Sequence, residues 1–350
     1  MIRKSNLEIL RIICMFGIIS MHTFGQFLGT CTGINLGYGV LINSIFNMGV
    51  SCFMIISGYF GVKFSTKKVV TLELMILFYG LLGQIISIAG TGNLVIKDLF
   101  KSIFPISTRK YWYMSVYMII IFISKYIDKL LENLDRKGFR TLIYVLILFF
   151  YIMPSFMYFE IMNDAGKGIA NMFTVYLTGR YIRQYHDDKL EARKMFAIGS
   201  VIIGCSFVAN YLLSLLVRGG IGAFSPFARD NSITIYLGSV FFFLAFKNMR
   251  DVKSVLINKF ASSVFAIYLF EGTIRQIINY FYDISIFGDK WYLFVVIALY
   301  VLIVMTIVFI VDLLKKKFLG SLENTLTDLI VKALRNIKTK ALKSTLLNSI

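Results

Sequence analysis

Residues 7–28 read LEILRIICMFGIISMHTFGQFL. This apolar run is long enough to cross a bilayer as a helix. Arg11 is the only charged residue in its interior, and His22 shares that interior. The two are eleven residues apart. At ~100° per residue, eleven steps return to within about 20° of the starting direction, so both side chains share one face. At ~1.5 Å per residue they lie about 16 Å apart in depth, Arg11 near one membrane surface and His22 deep in the opposite half. Ionisable groups inside a membrane are costly, and by default they indicate function.

The rest of the chain resembles that stretch. Its 350 residues are 57% hydrophobic and 16% charged, with mean hydropathy +0.74. Soluble chains carry about 25% charged residues. A membrane barrel would show alternating segments of ~10 residues instead of long continuous apolar runs. The reading is therefore an all-α, polytopic transmembrane bundle. The start of the chain imitates a signal peptide, but the run is too long, contains Arg11 and lacks a small-residue cleavage site, so we expect a retained helix. Cys14, Cys31, Cys52 and Cys205 form no C-x-x-C pair, which supports neither a metal site nor a disulfide framework.

About ten spans are expected, near 7–28, 40–61, 69–90, 111–128, 139–158, 169–186, 195–217, 231–248, 260–282 and 291–314. With the N-terminus inside, 27 of the 37 Lys and Arg residues fall on the cytoplasmic side. Eight fall outside: Lys97, Lys101, Arg109, Lys110, Lys167, Arg218, Arg229 and Lys290. That asymmetry predicts both termini in the cytoplasm. It also explains the net charge of +18 as topology, so no nucleic-acid partner is expected. The domains are then 1–315, a transmembrane domain, and 316–350, a basic tail. In the tail Leu319, Leu322, Leu326, Leu329, Ala333 and Ile337 follow helical spacing. Lys332, Arg335, Lys338, Lys340 and Lys343 lie between and beyond them. This pattern suits a helix on the inner leaflet; a soluble helix packed under the membrane domain is the alternative.

Arg11 can hold an anionic group through its planar fork of donors, or it can snorkel to lipid phosphates. His22 can act as a general base, or as a structural histidine bonded between helices. Their shared face favours the functional reading for both. His186, the only other histidine, lies in a charged loop. Residues 47–60, NMGVSCFMIISGYF, place small residues at Gly49, Ser57 and Gly58. These allow close helix packing, or a narrow channel for a thin ligand.

Several segments, in order, resemble the membrane acyltransferase 3 family. Arg11, ten residues and His22 match its R-x10-H signature, and Phe53–Tyr59 resembles its F-x-x-I-S-G-Y segment. Trp112-Tyr113 with Tyr117 is similar to its W-F/Y-x-x-x-Y helix. Tyr176–Arg183 (YLTGRYIR) and Ile267-Tyr268-Leu269 resemble two later segments. The likeness covers about residues 6–310. Two positions depart from the pattern: Phe270-Glu271 stands where relatives often have histidine, and Lys125 where many have proline.

The resemblance implies an integral-membrane O-acyltransferase of the bacterial cytoplasmic membrane. It would move an acyl group, acetyl foremost, from cytoplasmic acyl-CoA to a hydroxyl of a sugar or cell-envelope polysaccharide. Acetyl-CoA is then a co-substrate, with no permanently bound cofactor and no metal. His22 and Arg11 would be catalytic. Arg11, Ser57, Gly58, Lys63, Lys67, Arg180 and Arg183 are the donor-side candidates, with Lys68 beside them. Asn47, Arg109, Trp112, Tyr113 and Glu271 are the acceptor-side candidates. The partners are acyl-CoA, the glycan and the bilayer. The competing class is a transporter or flippase of a lipid-linked glycan or small anion, in which Arg11 lines the path and His22 couples protons.

Overall fold

The computed structural model describes residues 5–157, 160–186, 190–216 and 225–347. Arg3, Lys4, Lys189 and Arg218 of the charge tally, and the side chains of Lys338, Lys340 and Lys343, lie outside what is described. The described residues form helices and no strands. The sequence explains this outcome: long apolar runs in lipid must satisfy their own backbone, and a helix does so within one segment.

Fourteen helices follow in chain order. They are α1 (Asn6–Phe24), α2 (Ile34–Phe46), α3 (Met48–Phe60), α4 (Thr66–Thr91), α5 (Ile96–Ile103), α6 (Trp112–Glu132) and α7 (Arg136–Ile147). A π turn (Leu148–Ile152) joins α7 to α8 (Met153–Phe156). Then come α9 (Ile169–Tyr185), α10 (Ala192–Leu216), α11 (Ile233–Asn248), α12 (Val255–Ala261), α13 (Val264–Phe281) and α14 (Leu293–Leu347).

Each of the ten expected segments contains a helix, but not every helix is built to span. Among the described residues, six are long and apolar enough to cross a membrane: 6–27, 34–60, 66–91, 136–156, 192–216 and 293–337. A seventh appears if α12 and α13, bent by 56° at their junction, count as one. The others differ for physical reasons. With 17 and 16 residues, α9 and α11 are short for a hydrocarbon core of ~30 Å. Charged Lys125, Asp128, Lys129 and Glu132 crowd the last turns of α6.

The two short helices are central. The α3–α9 crossing is tight because glycines meet there. A Cβ on Gly58 would lie 2.1 Å from the Tyr176 carbonyl oxygen, and one on Gly179 would lie 2.3 Å from that of Ile55. Only glycine lets two backbones approach this closely. The packing reading of Gly58 is therefore the one its surroundings support.

Polar clasps fix the helix ends around this centre. The Ser5 amide donates to the Val252 carbonyl at 2.9 Å, and the Asn6 side chain donates to that of Met249 at 3.0 Å. At the other end of the bundle, the Asn35 amide donates to the carbonyls of Gly288 and Lys290, both at 2.9 Å. Between α4, α13 and α14, fully buried Asp312 accepts from Tyr79 at 2.8 Å and from Ser263 at 2.6 Å. Helix α14 runs 55 residues without breaking at the expected 315/316 boundary. Beyond that boundary Thr327 and Val331 are buried, whereas Leu319, Leu322, Leu326, Leu329 and Ile337 are exposed.

Candidate active site: two chambers meeting at Arg11

Helix α1 is unbroken from Asn6 to Phe24, so Arg11 and His22 share a face, as their spacing requires. Two cavities lie along that face. One, of about 690 Å³, is lined near the start of α1 by Glu8, Arg11, Ser57, Lys68, Arg183 and Lys247, among others. The other, of about 670 Å³, is lined by His22, Asn47, Trp112, Tyr113, Lys167 and Asp230, among others. Arg11 and Tyr117 line both. They stand where the Glu8 chamber meets the His22 chamber.

The Arg11 guanidinium donates to Glu8 Oε1 at 2.6 Å. Three residues apart on a helix, the two groups are neighbours, and the carboxylate leaves the rest of the guanidinium fork for other partners. In the His22 chamber that Arg11 also lines, the rings of Tyr113 and Tyr117 stack with centroids 6.1 Å apart and planes 11° apart.

His22 Nδ1 lies 2.9 Å from Glu271 Oε1. A carboxylate only accepts, so this contact assigns a ring proton to Nδ1; in the neutral ring Nε2 then carries the lone pair. Arg275 holds the carboxylate from behind. Its Nε donates to Glu271 Oε2 at 2.5 Å, and its Nη1 donates to the His22 carbonyl at 3.2 Å. Burying Glu271 alone would be costly; the two cationic or donor partners offset that cost. An imidazole, a carboxylate and a guanidinium thus stand in one row, and an imidazole oriented by a carboxylate is a pairing that general-base catalysis can use.

The candidates inferred from sequence separate into groups. On the donor side Arg11, Ser57, Lys68 and Arg183 line the Glu8 chamber. Gly58 packs against α9, Lys67 pairs with Asp328 at 2.8 Å, and Arg180 pairs with Asp128 at 2.7 Å. Lys63 does not line either chamber. On the acceptor side Asn47, Trp112 and Tyr113 line the His22 chamber. The Asn47 amide donates to the Ala228 carbonyl. Arg109 lines neither chamber; its guanidinium donates at 3.1 Å to the carbonyl of Lys167, which lines the His22 chamber. Glu271 stands behind His22, 6% exposed, and does not line either chamber. Its oxygens are engaged by His22 and Arg275.

Sequence reasoning missed the partners. Glu8 precedes Arg11 by three residues and Arg275 follows Glu271 by four. Both are helical-neighbour spacings and were available as signals. Asp230 had no such signal. It lies in the segment before α11 and lines the His22 chamber, 4% exposed. Burial pushes its carboxyl up to about 7; Lys167 pulls it down and Asp164 pushes it up.

The sequence model of the family described as "Acyltransferase domain" (Acyl_transf_3) matches residues 4–313. The chain therefore belongs to the acyltransferase 3 family of membrane acyltransferases. Comparison with curated proteins found no match, nor did comparison with solved structures.

Proposed function

We infer that this protein is a multi-pass O-acyltransferase of the bacterial cytoplasmic membrane. It takes an acyl group, acetyl foremost, from cytoplasmic acyl-CoA and places it on a hydroxyl of an envelope sugar or polysaccharide. The observation that carries this reading is that Arg11 and Tyr117 line both chambers while His22 lines only one of them. Two substrates can then enter from opposite ends and meet at one base.

The topology belongs to the same reading: ten spans, both termini in the cytoplasm, and the Glu8 chamber open to the inside. The chain divides at 315/316, with the exposed leucine row of the tail facing the inner leaflet. Arg11, Lys68, Arg183 and Lys247 outnumber Glu8 and Asp251 on the inner chamber wall, which suits the phosphates of CoA. The thioester end passes Arg11 toward His22. There Nε2 takes the proton from the acceptor hydroxyl as its oxygen attacks the thioester carbonyl. The tetrahedral adduct collapses, the C–S bond breaks, the proton held on Nε2 passes to the departing sulfur, and free CoA leaves toward the inner chamber with His22 neutral again. Glu271 holds the ring and stabilises the imidazolium as it forms. Aromatic Trp112 and Tyr113 offer faces on which a sugar ring can lie.

The test uses purified protein, labelled acetyl-CoA and surface glycan isolated from cells lacking the protein. A general base contributes roughly 10²–10⁴-fold, so His22→Ala should bind donor yet lose glycan acetylation by that factor. Acetylation by His22→Gln at the wild-type rate would eliminate the mechanism. Glycan export by a wild-type protein that turns over no acetyl-CoA would favour the transporter.

A further inference from the structure

Asp230 and Asn231 each keep a buried side-chain oxygen without a hydrogen-bond partner among the described residues, and of the two only Asp230 lines the His22 chamber. The segment around them is firmly tied. Arg229 donates to Glu160 Oε1 at 2.5 Å and to the Pro154 carbonyl at 2.9 Å. The Ser232 hydroxyl donates to the Pro226 carbonyl at 2.6 Å, and the Asn210 side chain accepts from the Phe227 amide at 3.0 Å. Gly166, at φ +84°, lies against the 230–231 peptide, where a Cβ would come within 2.4 Å of the Asn231 nitrogen. Within this fixed segment Asp230 Oδ1 has no hydrogen-bond partner among the described residues. Buried polar atoms are almost always paired, and an orphan is costly. Asp230 lines the His22 chamber, and a ligand that completes the site is one physical reason for such an orphan.

We propose that Asp230 orients the acceptor: in the His22 chamber its Oδ1 accepts a hydrogen bond from a sugar hydroxyl other than the one being acylated. This rests on the acyl-transfer reading given above. A hydroxyl fits better than an ammonium, because Lys167 lines the same chamber and would repel a cation. Fixing a second hydroxyl sets which oxygen of the sugar faces Nε2 of His22, so Asp230 determines regiochemistry as well as affinity. A site built to bond a hydroxyl discriminates strongly against sugars lacking it.

The charged form of Asp230 is the better acceptor. The groups that face it are Lys167 and Asp164, with the Arg229–Glu160 pair beside it and His22 and Tyr113 elsewhere on the chamber wall. Acceptor KM should therefore rise as pH falls through about 7, where Asp230 takes up its proton.

The experiment measures KM for glycan, KM for acetyl-CoA and kcat from pH 6 to 8. It compares wild type, Asp230→Asn and Asp230→Ala, using the glycan isolated from cells lacking the protein. Asp230→Ala should raise glycan KM by about 10–100-fold, the worth of a hydrogen bond to a charged group, and change acetyl-CoA KM far less. Asp230→Asn should raise it less and flatten its pH dependence. Because Oδ1 is unpaired, neither change should lower Tm, whereas a structural aspartate would lower it. Unchanged glycan KM in both variants, with wild-type turnover intact, would overturn the role of Asp230 alone. So would parallel losses in Tm and in both KM values. Absence of acetyl-CoA turnover in the wild type would overturn the acyl-transfer reading, and this proposal with it.

Discussion

His22 has one ring nitrogen committed to Glu271 and the other available to the chamber. A backbone carbonyl could fix the tautomer as well as this carboxylate does, but only the carboxylate would also compensate a positive charge on the ring if Nε2 took a proton. Replacing it by an amide keeps the shape and removes both effects. Glu271→Gln should therefore fold normally and bind acetyl-CoA with wild-type affinity, yet lose about 10²–10⁴-fold in glycan acetylation. Single-turnover kinetics beside a donor-binding isotherm would check this; full activity in Glu271→Gln would reduce the contact to packing. The residue pattern shows what was legible here. Arg11 and His22 could be recognised because eleven residues on a helix leave only one relative orientation. The sequence marks Glu271 only as an acceptor-side candidate, since nothing local says which helix lies opposite. Asp230 was invisible, because whether a loop carboxylate is buried depends on segments far away in sequence.

At the scale of elements, the α3–α9 crossing sets how wide the space beside α1 can be. Both glycines place their missing side chains against backbone carbonyls, which cannot move aside as a flexible side chain could. Gly179→Ala should push the helices apart and cost about 1–3 kcal/mol, the usual penalty for overpacking. Thermal unfolding in detergent should show a lowered Tm, with Gly58→Ala behaving alike. An unchanged Tm in both would mean that the crossing relaxes freely. Small residues were readable as a packing signal, but the partner was not, since the facing helix carries its own glycine more than a hundred residues away. The helix termini were legible for a simpler reason: apolar runs end where charge begins, as at Lys67 and Lys68 in the first turn of α4.

At the scale of the molecule, charge asymmetry and helix length give different counts of spans. Six helices meet the length and hydropathy demands outright, while α6, α9 and α11 do not. Buried central helices need less lipid-facing length than peripheral ones. The ten-span topology therefore predicts outside labelling of single cysteines at Gly33 and Gly166 and protection at Ser65. These should be introduced after exposed Cys205 is replaced. Labelling of Ser65 from outside would break the order of spans two and three. Composition established the membrane class because lipid leaves few alternatives. It did not reveal that α14 continues through the tail boundary, since an amphipathic pattern looks the same whether the helix bends away or runs on.

The central claim is that donor and acceptor meet from opposite sides at His22. The most direct measurement encloses surface glycan inside sealed vesicles bearing the purified protein, oriented with the Glu8 chamber outward, and adds labelled acetyl-CoA outside only. The account predicts labelled glycan inside the vesicles with wild-type protein and none with His22→Ala. Labelling only when glycan and acetyl-CoA share one compartment would contradict it.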